Sequence, residues 1–178
     1  GNRRSFSISF WMKNSDPTQG YTSIIGAGKL SPTNVYNEIF YNSSGIGLNL
    51  DNSSSPGNYT VNVDQKNRDP SSWMHVLLSF DDSKSAESEK AIFYINGNRV
   101  EYSAGASTIV NEGTFFNNED YIHYIGSRAQ QSAGSTTFDG QFFDAFMVDG
   151  QVLTPEVFGF YKDGSGYISV GSTHATDF

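Results

Sequence analysis

The stretch SFSISFWMK at 5–13 constrains the fold more than any other part of the chain. Phe6, Ile8, Phe10 and Met12 fall on one side, and Ser7, Ser9, Trp11 and Lys13 fall on the other. That two-residue period belongs to a β-strand with one apolar face, because a helix would scatter the same residues around its circumference. The period recurs. In GIGLNLDN, Ile46, Leu48 and Leu50 alternate with Gly47, Asn49 and Asp51; in NYTVNVDQ, Tyr59, Val61 and Val63 alternate with Thr60, Asn62 and Asp64. YTSIIGAG, NEIFYN, YIHYIGS and QFFDAFMV read as further short strands.

The segment DPSSWMHVLLSFDD is apolar on nearly both faces from Trp73 to Phe80, which predicts a central strand. AIFYINGNRVEY predicts a hairpin, since Asn96-Gly97 can take the positive φ angles of a type I′ turn. Asp149-Gly150 reads as another tight turn, and Thr154-Pro155 as the start of a short helix through Val157 and Phe158. The segments 52–58 and 81–89 read as polar loops. Together these signals predict an all-β chain: one antiparallel β-sandwich over 1–178, about a dozen strands, and one short helix near the C-terminus.

Composition agrees and removes several function classes. Aromatic residues make up 15% and charged residues 17% of the chain, with 18 glycines, which suits sheets joined by many turns. The formal charge of −8 opposes binding to a nucleic-acid backbone or an anionic bilayer. There is no cysteine, so packing rather than disulfides or thiolate-bound metal must hold the fold. No apolar run approaches the ~20 residues of a membrane-spanning helix, so insertion is not expected. The chain starts without Met and enters its first strand by Phe6, so it reads as a piece of a longer polypeptide.

FSISFWMK, SSWMHVLLSFD, AIFYINGNRV, YIGS and FDGQFFDAFMVDGQVLTPEVFG, in this order, resemble the laminin-G-like branch of the concanavalin A-like lectin/glucanase jelly rolls. A narrower resemblance is to such domains in structural proteins of marine bacteriophages, carried by GNRR at 1–4, RDPSSWMH at 68–75 and the stretch at 138–159. The resemblance implies a module of a tail fibre or decoration protein, extracellular at the virion surface. Its implied partners are host-surface carbohydrate and other virion proteins; homo-oligomerisation is left open.

Glycoside hydrolases on this fold carry paired carboxylates, because a retaining mechanism needs two about 5 Å apart. Glu38 and Asp144 stand alone in their segments, so no catalytic residue is assigned and the chain is read as a non-enzyme. His75, His123 and His174 are too dispersed for a metal site, and sheet hydrogen bonding is the better reading. There is no Gly-x-Ser-x-Gly elbow, and GAGKLS at 26–31 lacks phosphate-loop spacing. Some relatives bind calcium at the rim, which leaves that ion open through Asp51, Asn52, Asp64, Asp81 and Asp82; the metal ligands are otherwise unknown.

Trp11 and Trp73 match strand positions of the family and are expected to pack, although an exposed indole would suit a sugar ring. The expected ligand surface is the polar side of two strands, Asn49, Asp51, Asn62 and Asp64, with Tyr36 and Tyr59 supplying rings. The same alternation equally describes a solvated sheet surface. The rival function is a decoration or assembly domain that contacts other virion subunits without sugar.

Overall fold

The fold is given by a computed structural model, which describes residues 1–169 apart from 17, 19, 30–34, 52–58, 64–68, 70, 105–112, 129–136 and 163–165, and apart from the side chains of 102–104, 160–162 and 166–169. In chain order the elements are β1 (Ser5–Asn14), β2 (Thr22–Lys29), β3 (Val35–Asn42), β4 (Gly45–Asp51), β5 (Tyr59–Val63), β6 (Met74–Asp81), α1 (Glu87–Lys90), β7 (Ala91–Ile95), β8 (Asn98–Val100), β9 (Tyr102–Ala104), β10 (Ile122–Ile125), β11 (Gly140–Asp149), a 3-10 turn (Pro155–Val157), β12 (Gly159–Lys162) and β13 (Gly166–Ser169). The predicted all-β sandwich is what forms. A five-stranded sheet runs β11-β1-β6-β7-β8, and a six-stranded sheet runs β10-β2-β3-β4-β5-β9. Both are antiparallel throughout, and β12 and β13 form a separate hairpin.

The alternation in β1 decides what lies between the sheets. Phe6, Ile8, Phe10 and Met12 enter a core shared with Phe80 and Phe93 of the same sheet and Ile39, Leu48 and Val61 of the other. The Phe6 ring stacks on Phe80 at 5.1 Å and meets Phe116 at 6.1 Å. Burial of this many rings, at roughly 25 cal/mol per Å² of apolar surface, is the main force holding a chain without disulfides. β6 occupies the middle of its sheet, as its two-sided apolar pattern predicts.

The outer side of β1 is not solvated, although the sequence suggests a half-buried strand. Ser7 is buried under the segment 150–158, and Ser9 is buried against His75. Ser7 Oγ donates to the Gln151 carbonyl at 2.8 Å and accepts from the Leu153 N–H at 2.9 Å; Ser79 Oγ donates to the Leu153 carbonyl at 2.6 Å. Small hydroxyl residues on the outer face therefore anchor a strap.

Two turn expectations differ in outcome. Asn96 and Gly97 have φ of 49° and 80°, the pair of positive values that a type I′ hairpin needs. At Asp149-Gly150 only Gly150 is positive, at 70°. Asp149 acts instead through its carboxylate, whose Oδ1 accepts from Asn2 N–H and Asn117 Nδ2, both at 2.6 Å. The expected short helix is the 3-10 turn with Thr154 at its N-cap and Pro155 first, and 81–89, read as a loop, contributes the start of α1.

Candidate functional site

Sheet alternation sorts the six-stranded sheet into two faces. Ile39, Leu48, Leu50 and Val61 enter the core, so Tyr36, Glu38, Phe40 and Asn42 of β3, Asn49 and Asp51 of β4, and Thr60 and Asn62 of β5 share the outer face. Across the strand pairs, Tyr36 sits opposite Asp51, Glu38 opposite Asn49, and Asn49 opposite Thr60. The sequence expectation thus brings Tyr36, Asn49, Asp51 and Asn62 to one surface. Asp64 lies outside the described residues.

Tyr59 is a correction. Its side chain is 2% exposed and belongs to the core cluster, because it shares the parity of Val61 and Val63 rather than of Thr60 and Asn62. Nearness in sequence placed it on the ligand face; strand pleat puts it behind that face. Thr60 takes the surface position.

Glu38 stands at the centre of the face, 0% exposed in the middle of a largely apolar strand. A buried carboxylate needs a cation and hydrogen bonds, and both come from distant parts of the chain. Arg128 Nη1 donates to Glu38 Oε1 at 2.8 Å, and Tyr21 Oη donates to the same oxygen at 2.5 Å. The guanidinium lies over the Tyr36 ring, 4.6 Å from its centroid, and 5.5 Å from that of Tyr21. Tyr21 in turn stacks on Phe40 at 4.7 Å.

Glycine in β2 lets this arrangement assemble. A Cβ on Gly26 would stand 2.8 Å from the Ser127 carbonyl oxygen and 3.0 Å from Arg128 Cα, so the bare backbone admits the segment carrying Arg128 directly onto the sheet. Ser23 Oγ donates to the Ser127 carbonyl at 3.0 Å and fixes it there.

The electrostatics follow from this packing. Burial first, and then the Glu38 carboxylate, push the Tyr21 hydroxyl far above its ordinary range, so it stays a protonated donor. Burial likewise raises Tyr36. For Arg128 burial works downward, but the Glu38 charge and hydrogen bond outweigh it and the guanidinium is held more firmly protonated.

Toward β5 the face becomes an amide and hydroxyl surface. Thr60 Oγ1 donates to Asn49 Oδ1 at 2.9 Å, and Asn42 Nδ2 donates to Asn62 Oδ1 at 3.1 Å. Asn49 is only 7% exposed and also hydrogen-bonds Tyr36, so it supports the surface more than it offers itself to a ligand. Tyr36, Asp51, Thr60 and Asn62 are partly exposed. Alternating donors, acceptors and an aromatic ring supply what a polyhydroxylated ring requires: paired polar contacts and an apolar surface.

Arg128, Tyr21 and Thr60 are not among the residues read from the sequence. Two signals point toward them. A charged residue inside the apolar run of NEIFYN demands a partner, and Gly26 and Gly28, across from Glu38 and Tyr36, mark a close approach of other backbone.

The remaining candidates are placed elsewhere. Asp144 is in the five-stranded sheet at a β-bulge, where β1 advances one residue past Ser9 while β11 spends two, Asp144 and Ala145; it has φ of 46°. His75 is fully buried with Nε2 at 2.9 Å from Ser9 Oγ, and burial lowers it to about 4. His123 Nε2 accepts from the Asn117 N–H at 3.0 Å, which leaves Nδ1 to donate to the Tyr121 carbonyl at 3.1 Å. His174 and Asn52 lie outside the described residues.

Of the acids suggested for calcium, Asp82 is buried and bound by Arg4 Nε at 2.8 and 3.0 Å and by the Gly113 N–H at 3.0 Å, while Asp81 accepts from Ser83. Among the described residues no group of three or more His, Cys, Asp or Glu side chains converges as a metal site. Trp11 packs as expected, 5.2 Å from the His75 ring, but Trp73 is 41% exposed and meets Phe143 edge-on at 6.4 Å. Trp73 stands just before the first residue of β6, outside the packed part of that strand.

Fold and face together define an antiparallel two-sheet sandwich with a polar, ring-bearing outer face on its six-stranded sheet. The family model described as the concanavalin A-like lectin/glucanases superfamily matches residues 2–157, and the chain belongs to that superfamily. No curated protein matches the sequence. Among solved structures, the CBM40 module of the IT-sialidase of Ruminococcus gnavus aligns with a TM-score of 0.63 at 14% identity, covering 86% of this chain and 80% of that one; the same module has been solved with α2,6-sialyllactose. Domain 4 of an extracellular arabinanase from Geobacillus stearothermophilus, in complex with arabinotriose, aligns with a TM-score of 0.57 at 20% identity over 86% of this chain and 64% of that one. The NanB sialidase of Streptococcus pneumoniae aligns at 0.59 and 16% identity, over 86% of this chain but 23% of the sialidase. At these identities the likeness is one of fold.

Proposed function

We propose that the chain is a non-enzymatic carbohydrate-binding module, that its ligand surface is the outer face of the six-stranded sheet, and that it serves at the surface of a phage particle in attachment to host carbohydrate. The observation that carries the reading is the face itself: Arg128 laid on Tyr36 over the buried Glu38, continuing into Asn49, Thr60 and Asn62. Solved domains of the same fold that are carbohydrate-binding or hold arabinotriose support the ligand class. The virion setting rests on the resemblance of 1–4, 68–75 and 138–159 to phage structural proteins.

The non-enzymatic part is supported by what the two isolated acids do. Glu38 is sealed and ion-paired in one sheet, and Asp144 shapes a bulge in the other, so they cannot form the pair about 5 Å apart that retention demands. A glycan array, run with and without calcium, tests the binding reading and the recruitment of that ion together. Retention of at least one glycan class is expected; release of reducing ends from a bound glycan, abolished by Glu38→Gln, would replace the module with a hydrolase.

One observation favours the assembly reading. Ile122 and Ile125 of β10 and Phe146 and Met147 of β11 are exposed along the two sheet margins, Ile125 to 71%, and several of them line one cleft. Exposed apolar groups concentrated at edge strands favour contact with another protein surface. Light scattering decides it: concentration-dependent association of wild type, lost in Ile125→Lys, supports the assembly role.

A further inference from the structure

We infer that the outer face of the six-stranded sheet selects neutral saccharides over anionic ones, a specificity that rests on the carbohydrate reading above. Among the described residues of this face the ionised side chains are Glu38, Asp51 and Arg128. The one guanidinium among them is paired with the buried Glu38, on a chain whose formal charge is already −8.

The guanidinium is also committed. Its Nη1 bonds Glu38 at 2.8 Å, its plane is laid over Tyr36, and its side chain is 17% exposed. A ligand carboxylate that drew Arg128 toward itself would strip the cation from a Glu38 side chain with 0% exposure, and Glu38 Oε2 already has no hydrogen-bond partner. Removing one member of a buried pair is far more costly than breaking one in water. Arg128 therefore serves as a cation already neutralised by Glu38, with N–H groups that can donate to hydroxyls, not as an anion receptor.

Asp51 acts in the same direction. It lies opposite Tyr36 across the β3–β4 pair, in the partly exposed part of the face, and its charge contributes to raising the Tyr36 hydroxyl. A sialyl, uronate or sulfate group placed there meets like charge in a partly desolvated setting. Hydroxyl groups meet acceptors and amides instead, an arrangement in which a neutral ring satisfies both partners.

The inference predicts two results from one array of paired glycans that differ in charge, such as lactose with 3′-sialyllactose and a methyl-esterified galacturonic acid trisaccharide with its free acid. Wild type is expected to bind the neutral member of each bound pair at least fivefold tighter. Glu38→Gln, which frees the guanidinium and removes one negative charge, is expected to shift that ratio toward the anion by at least fivefold, with melting temperature monitored to confirm folding. Asp51→Asn, which leaves the buried pair intact, should shift it the same way. Tighter binding of the anionic members by wild type, or an unchanged ratio in both variants, overturns the specificity and leaves the binding face standing. Retention of no glycan at all overturns the binding face and the specificity with it.

Discussion

At the scale of single residues, the hairpin at Asn96-Gly97 and the buried His75 give the sharpest tests. Gly97 has φ of 80°, where a β-branched side chain collides with its own backbone, so Gly97→Val should cost on the order of 1 kcal/mol or more. An unchanged melting temperature would count against the turn. His75 is held neutral by burial, with its titration lowered from 6.5 to about 4. Below pH 6.5 the unfolded chain takes up a proton that the folded chain refuses, so stability present above that pH is lost as pH falls toward 4. The loss is on the order of 3 kcal/mol for such a shift. His75→Gln keeps a partner for Ser9 and removes the titration, so thermal melts between pH 7 and 4 should fall less steeply than those of wild type. Parallel slopes would refute the assignment.

At the scale of elements, the strap at 150–158 is where local sequence and tertiary structure part company. Its anchors are Ser7 and Ser79, which a period-two reading assigns to a solvated face. Ser7→Ala leaves the Leu153 N–H and the Gln151 carbonyl without their partner, at a cost of roughly 1–3 kcal/mol. Hydrogen exchange should show protection lost at 151–158 while β6 and β7 keep theirs; uniform loss would mean that the strap does not open separately. β1, β4, β5, β6 and the β7–β8 hairpin were legible because their signals are local: alternation, a two-sided apolar run, and Asn-Gly. The bulge at Asp144, the first turn of α1 and the placement of Tyr59 were not. The first two depend on what a neighbouring strand or the opposite sheet requires; Tyr59 is different, because its parity with Val61 and Val63 is present in the sequence and nearness to the polar residues masks it.

At the scale of the whole molecule, two sheets present two unlike surfaces. The five-stranded sheet is sealed by its strap, with apolar groups exposed toward β11, while the six-stranded sheet turns a polar face outward around Glu38 and Arg128. Half of that face could be read from β4 and β5. The other half could not, because Arg128 comes from a segment ninety positions from Glu38 and reaches it only through the space left by Gly26. Replacing Gly26 with Val should therefore act at a distance: the added bulk meets the Ser127 carbonyl and lifts Arg128 from Tyr36. Fluorescence of Tyr21 and Tyr36, or their ring resonances, should change while the β6 core signals do not. The most direct test of the account is glycan-array binding by wild type beside the double variant Asp51→Ala, Asn62→Ala, which alters partly exposed groups of the face and spares Glu38 and Arg128. The account predicts binding by wild type and a loss of at least about tenfold, roughly 1.4 kcal/mol, in the variant at an unchanged melting temperature. Equal binding by the two proteins would contradict it.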